Sequence, residues 1–150
     1  MIQSPHDSMI VRRSGAFLIP FVQLFGLYVL FFGQYGPGGG FVGGVMLGAS
    51  LIAGILIFGP EGRPGAAAKR VLKSDGLGLL IFAGVGGLCL IGGGEFLNYS
   101  NMQLPGIDEP TRRYLGIILT QIGVAADIAV AAVSIVFSLY SASSGEVSNG

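Results

Sequence analysis

The apolar positions along the chain fall into four long runs, separated by short polar or glycine-rich segments. The runs cover residues 15–33, 41–59, 76–94 and 114–140. A helix that crosses the hydrocarbon core of a bilayer needs about 20 mainly apolar residues, and every run is close to or above that length. The pattern therefore predicts an all-α integral membrane protein with four transmembrane helices, in one domain over residues 1–150 with polar tails at 1–13 and 141–150.

The composition favours a membrane protein over a soluble one. Hydrophobic residues make up 51% of the chain and charged residues only 11%, whereas about 25% of a soluble domain is charged. The formal net charge is zero, so the chain lacks the basic surface that nucleic-acid binding requires. Its single cysteine, Cys89, excludes a disulfide or a cysteine metal cluster within one chain. Without metal-ligand spacing, a nucleophile–base pair or a phosphate loop, we expect no enzyme activity and no cofactor.

Basic residues predict how the chain is oriented, because the loops on the cytoplasmic side carry more lysine and arginine. With four helices, the N-terminal tail and the loop after the second run lie on one side. That side holds six basic residues, Arg12, Arg13, Arg63, Lys69, Arg70 and Lys73, against two, Arg112 and Arg113, on the other. Both termini are therefore predicted to be cytoplasmic. The first run lacks a clear cleavage site, so it is interpreted as a retained helix anchored by its arginines.

The segment QYGPGGGFVGGVMLG, between and within the first two runs, contains the pattern G-x-G-x-x-G. Gly38, Gly40 and Gly43 form this pattern, and Glu61 stands roughly where a dinucleotide-binding fold places a ribose-binding acid. That fold needs a strand before the glycines and a βαβ unit around them. Here a membrane-length apolar run stands on each side, which excludes the dinucleotide interpretation.

The same glycines instead suit a tight turn and a helix-packing face. Pro37 and its neighbouring glycines permit a sharp turn between helices. Gly40, Gly44 and Gly48 then repeat at every fourth residue, and small residues at this spacing let helices approach closely in lipid. The predicted packing residues are Gly38, Gly39, Gly40, Gly43, Gly44 and Gly48. A substrate or ion path past these glycines remains the alternative.

Asp127 is the one acidic or basic residue (Asp, Glu, Lys, Arg or His) within an apolar run. An acid at this depth is expensive and is therefore a functional candidate. It shares one helical face with small or polar residues, namely Thr120, Gly123, Ala131, Ser134 and Ser138. Two interpretations stay open: a bond between helices, or a relay for protons or cations. Gln121, on a different face, and Gln23, in the first run, are candidates for hydrogen bonds to neighbouring helices.

The third run is rich in glycine, which weakens a helix by up to about 1 kcal/mol per interior position in water. Such a helix depends on close neighbours. We therefore expect the chain to be embedded in a larger assembly of membrane proteins.

The segment LYVLFFGQYGPGGGFVGGVMLGAS resembles the hallmark of the MrpB (MnhB) family, which reads roughly G-H-x-x-P-G-G-G-F-x-G-G. The matching positions are Gly33, Pro37, Gly38, Gly39, Gly40, Phe41, Gly43 and Gly44. Gln34 departs from the family, which commonly has histidine there. Glutamine can form hydrogen bonds but cannot change its protonation state, so a proton-carrying role at this position is not expected here. The resemblance extends over about residues 15–140.

This resemblance implies a small subunit of a multi-subunit monovalent cation/proton antiporter in the plasma membrane of a prokaryote. Such a subunit is non-catalytic, holds no cofactor, and supports assembly with other membrane subunits that exchange Na⁺ for H⁺. The polar residues that would line a cation path are Asp127, Gln34, Gln23, Gln121 and Thr120. Two alternatives stay open. One is a related subunit of a membrane-bound hydrogenase or another complex I-related assembly, and the other is a homo-oligomeric ion carrier or channel.

Overall fold

The computed structural model describes residues 8–59, 63–73, 76–101 and 105–147, and these ranges contain helices but no strand. The helices are α1 (Met9–Phe32), α2 (Gly40–Phe58), α3 (Arg63–Leu72), α4 (Leu77–Ile91) and α5 (Glu109–Val147), with a short 3-10 turn at Tyr99–Asn101. The all-α prediction is therefore confirmed for the described part of the chain. Among the described residues, three helical segments are long and apolar enough to cross a membrane, namely α1, α2 and α5 as far as Tyr140, whereas α4 is apolar but shorter.

The two longest helices extend beyond their apolar runs. In α1, Ser8 accepts a hydrogen bond from the Val11 N–H at 3.4 Å, so the helix begins at Met9 and includes part of the predicted N-terminal tail. Likewise, α5 begins at Glu109, before its apolar run, and continues to Val147. Extending an existing helix forms one hydrogen bond for each residue that is ordered, so polar residues can join it at little cost.

The return from α2 towards α5 differs most from the sequence pattern. The predicted third run ends at residue 94, but α4 ends at Ile91 because glycines follow and Gly93 has a φ of +81°. With 15 residues, α4 is about 22 Å long, which is less than the hydrocarbon thickness of about 30 Å. The polar loop also contains the unpredicted helix α3, whose Leu72 packs against the cluster formed by Ile55 and Val133. Glu61 lies outside the described residues.

Helix α5 is the central element, and α2 runs parallel to it. Along α2, Gly40 lies against Gln121 and Gly44 lies against Ala125, and further contacts follow in the same direction. Helix α1 packs antiparallel on another side of α2, so it is separated from most of α5. Because α1 and α2 run in opposite directions, the start of α1 lies beside the end of α2, where the Arg12 guanidinium stands 5.9 Å from the centre of the Phe58 ring.

Helix α4 packs antiparallel to α5, on the side that lies nearly opposite to α2. Its first turn contacts α5 where Gly78 meets Gly123 and Asp127. Its far end leads to Tyr99, which contacts Gly116 nearer the start of α5. Helices α2 and α4 thus begin at similar levels of α5 and leave in opposite directions, with α2 following the C-terminal half of α5 and α4 the N-terminal half.

Candidate functional site

The glycine-rich turn between α1 and α2 is closed by backbone hydrogen bonds. The N–H of Gly39 donates to the Val29 carbonyl at 3.2 Å, and the N–H of Gly43 donates to the Gly39 carbonyl at 2.9 Å. Gly39 has a φ of +104°, a conformation that side chains of L-residues rarely adopt. A Cβ atom on Gly33 would lie 2.7 Å from the carbonyl carbon of Gly38, so this approach also requires glycine.

The face formed by Gly40, Gly44 and Gly48 is the contact surface of α2 with α5. A Cβ atom on Gly40 would lie 2.9 Å from the Gln121 Cα and closer still to its carbonyl oxygen. On Gly44, a Cβ atom would lie 2.8 Å from the Cα and the carbonyl oxygen of Ala125. Backbone atoms cannot rotate away as a side chain can, so the close approach of the two helices depends on these glycines.

Gly43 belongs to a different contact, the one between α2 and α1. A Cβ atom there would lie 2.8 Å from the Leu30 Cβ and 3.0 Å from the Gly26 carbonyl oxygen. Gly26 and Gly15 of α1 complete this contact, since they lie against Met46 and Ile57. These two glycines of α1 were not predicted as packing residues, although they are small residues within the first apolar run.

Two amide side chains near the α1–α2 turn have buried atoms without a hydrogen-bond partner. These atoms are Nε2 of Gln34 and Oε1 of Gln121. The Gln121 oxygen is only 3.5 Å from the place where a Cβ of Gly39 would stand. Leaving a buried amide atom without a hydrogen bond costs about 1–3 kcal/mol. A hydrogen bond from either atom to a ligand, a water molecule or a partner subunit would therefore be favourable.

Gln34 also lines a hollow of about 520 Å³ at this end of the helices. The other lining residues are Tyr35, Glu109, Pro110, Arg113, Tyr114 and Ile117. The hollow therefore combines an amide, a carboxylate and a guanidinium beside aromatic rings, between the α1–α2 turn and the first turns of α5.

Thr120 is buried and fully engaged within the chain. The Tyr99 hydroxyl donates to Thr120 Oγ1 at 3.1 Å, and the Thr120 hydroxyl donates to the Gly116 carbonyl at 2.7 Å. The Tyr99 ring covers Gly116 and also packs against the buried pair Val85 and Cys89. The hydrogen bond between Tyr99 and Thr120 therefore holds the segment that joins α4 and α5 against α5. Tyr99 was not among the residues predicted from the sequence.

Replacing Tyr99 with phenylalanine should lower the free energy of unfolding by about 1 kcal/mol, because the ring still packs while the hydrogen bond to Thr120 is lost. Thermal unfolding of the purified protein would measure the change. Tyr35→Phe is the matched control, since Tyr35 is 76% exposed. Equal stability of the two variants would contradict a fastening role for this hydrogen bond.

Asp127 is half-buried and lines a small cavity of about 160 Å³ between α4 and α5. The other lining residues are Gly78, Leu79, Phe82, Gly123, Val124 and Ile128, so the cavity is otherwise apolar. Within the described ranges, no hydrogen bond or ion pair reaches the Asp127 carboxyl group. Insertion scales give a penalty of about 2.5–3.5 kcal/mol for an aspartate at the centre of a membrane helix.

The predicted polar residues thus lie in separate places. Gln34 and Gln121 lie near the glycine-rich turn, whereas Thr120 and Asp127 face the α4 side of α5. Gln23 is half-buried in α1, which packs mainly on α2, and so stands apart from both. Within the described part of the chain, no group of three or more His, Cys, Asp or Glu side chains could hold a metal ion.

Comparison with known proteins identifies the family of the chain. A family model described as "Domain related to MnhB subunit of Na+/H+ antiporter" matches residues 10–136. A subunit of the Na(+)/H(+) antiporter of Alkalihalophilus pseudofirmus is 35% identical over 120 residues, which cover 74% of this chain and 83% of that protein. No solved structure matches the chain. The resemblance inferred from the glycine-rich segment is confirmed, and the chain belongs to the MnhB family.

Proposed function

We propose that this chain is a non-catalytic membrane subunit of a multi-subunit Na⁺/H⁺ antiporter. The observation that carries the proposal is the 35% identity to the antiporter subunit of Alkalihalophilus pseudofirmus, over 83% of the length of that protein. The chain supports assembly with other membrane subunits and lines part of the cation path. Its glycine contacts support the first role, because they hold α1, α2 and α5 together through backbone approach rather than through a large core.

The chain crosses the plasma membrane of a prokaryote four times, with both termini in the cytoplasm. The parallel direction of α2 and α5 supports this topology, because two parallel spans require the intervening chain to return across the membrane. The chain between the end of α2 and the start of α5, which includes α3 and α4, makes that return. The start of α1 and the end of α2 share one end of the structure, as the contact of Arg12 with Phe58 indicates, and basic residues favour the cytoplasm at this end.

The cation path passes the hollow that Gln34 lines. The unpaired Gln34 nitrogen and Gln121 oxygen support this role, since a hydrated path would supply the partners that the chain itself does not. A carbonyl oxygen such as Gln121 Oε1 is a suitable ligand for Na⁺, and Glu109 adds negative charge at the edge of the hollow. Because glutamine does not titrate, protons at this point would travel through water.

Gentle purification of a tagged chain from its native membranes tests the proposal. We expect several other membrane proteins to copurify, and everted vesicles from a strain without the gene to lose Na⁺-dependent proton exchange. Restoring the gene should restore the exchange. Copurification of hydrogenase subunits would instead assign the chain to a hydrogenase-type assembly. Purification as a self-contained unit that conducts Na⁺ or H⁺ alone would contradict the proposal and favour a homo-oligomeric carrier.

A further inference from the structure

The side of α5 that holds α4 continues towards the C-terminal end beyond the first turn of α4. We call this continuation the lower α5 face and define it by the residues Asp127, Ala131, Ser134 and Ser138. Ala131 and Ser138 are exposed, while Asp127 and Ser134 are half-buried. Helix α4 meets α5 at Gly123 and Asp127 and then runs the other way, so α4 does not extend over the lower α5 face, and among the described residues Ala131 and Ser138 stay exposed.

The lower α5 face lies at the depth of a membrane-spanning segment. On the other side of α5, Gly48 of α2 packs against Ala129 and Ala132, and Ile55 of α2 clusters with Val133. These contacts place residues 127–134 of α5 beside the middle and second half of α2, a helix with the length and hydropathy of a span. The carboxyl group of Asp127 and the hydroxyl group of Ser134 therefore lie at hydrocarbon depth, where polar groups require partners.

The charge of Asp127 indicates what kind of partner covers this face. All eight basic residues of the chain lie outside its four apolar runs. Lys73, which precedes α4, is exposed and has no ion pair within the described ranges. A second copy of the chain therefore has no cationic side chain within its apolar runs to place opposite Asp127, so a different subunit fits the face better.

From these observations, we propose that the lower α5 face docks a transmembrane helix of a different membrane subunit. That helix carries a lysine or arginine opposite Asp127 and small residues opposite Ala131 and Ser134. The cavity of about 160 Å³ beside Asp127 receives the basic side chain, and the exposed Ala131 allows the close approach on which helix pairs in lipid depend. This inference rests on the proposed function, since it requires a complex of several subunits.

Photo-crosslinking in the intact complex tests the position of the partner. A photoreactive phenylalanine analogue at Ala131 should crosslink the chain to one other membrane subunit. Mass spectrometry should locate the crosslink within an apolar span of that subunit, close to a lysine or arginine. Crosslinks only to lipid, only to a second copy of the chain, or to a span without a basic residue would each overturn the proposal.

Charge substitution tests the pairing independently of the crosslink. Asp127→Asn keeps the size of the side chain but removes its charge, and should lower copurification of the crosslinked subunit about tenfold or more. Asp127→Lys should abolish copurification, and exchanging the partner's basic residue for aspartate should restore it. For this comparison, each Asp127 variant must be present in the membrane at the wild-type level. The crosslink at Ala131 tests the same surface with Asp127 unchanged.

Lys73→Gln is the matched control, because it removes a cation of this chain that lies outside α4 and α5. It should leave copurification unchanged, and a loss equal to that of Asp127→Asn would show that Asp127 pairs within its own chain. Normal assembly of Asp127→Asn would also overturn the proposal. If other subunits copurify but none crosslinks at Ala131, this docking surface is wrong while the proposed function stands. If no subunit copurifies with the wild-type chain, the proposed function fails.

Discussion

Replacing Gly44 with leucine should separate α2 from α5 and prevent the chain from joining its complex. The first added atom alone would stand 2.8 Å from the Cα and carbonyl oxygen of Ala125. Those are backbone atoms of a helix, so the clash is relieved only by moving one helix away from the other. Overpacking of a well-packed contact costs about 1–3 kcal/mol and more when the backbone must shift, and the loss would extend along the neighbouring contacts of Gly40 and Gly48.

The measurement is the amount of chain in the membrane and the amount of complex recovered with it. Val45→Leu is the matched control, since Val45 is the next residue of α2 and is 44% exposed. The control should assemble as the wild type does. Normal assembly of Gly44→Leu would show that α2 and α5 do not depend on this close approach.

Replacing Gly78 with alanine should have the second largest effect, because it would displace the start of α4 from α5. A Cβ atom at this position would stand 2.7 Å from the Asp127 backbone nitrogen and 3.0 Å from its Cβ. Cys89 reports on the displacement. It is completely buried in the wild type and should react with a membrane-permeant maleimide much faster once α4 has moved.

Gly84→Ala is the control for this experiment, since an added Cβ there has no atom within 4 Å. The same substitution should therefore raise the intrinsic helix propensity of α4, by up to about 1 kcal/mol on scales measured in water, and leave Cys89 protected. Gly78→Ala should therefore weaken the packing of α4 on α5, whereas Gly84→Ala should stabilise α4. Equal protection of Cys89 in both variants would contradict a tight contact of α4 with α5.

The long helices could be predicted from the sequence because their length follows from the bilayer. For α2 the apolar run at 41–59 and the helix Gly40–Phe58 nearly coincide, since glycines stand at both ends. For α4 the apolar run is longer than the helix, because a hydropathy pattern does not detect that Gly92 and Gly93 end the helix. Helix α3 was missed because its 10 residues are too few for a membrane span and include three basic ones, and because its stability depends on packing of Leu72 against other helices.

The candidate site was harder to predict, because helical periodicity shows which residues share a face but not which helix meets that face. Gly43 and Gly44 are adjacent in sequence, yet one packs on α1 and the other on α5. Thr120 and Asp127 both face the α4 side of α5. The division of this side into a part that Tyr99 contacts and a part beyond α4 could not be predicted, because it depends on where α4 begins along α5.

The hollow beside Gln34 has an electrical consequence. If water fills its roughly 520 Å³, the electrical potential of that side of the membrane reaches inward towards Gln121. A cation at the base of the hollow has then crossed little of the membrane voltage, which is worth about 2.3 kcal/mol per elementary charge for every 100 mV. If the proposed cation path holds, most of the field then falls over the glycine contacts that α2 makes with α5 beyond Gln121, and the voltage acts mainly on ions that pass these contacts.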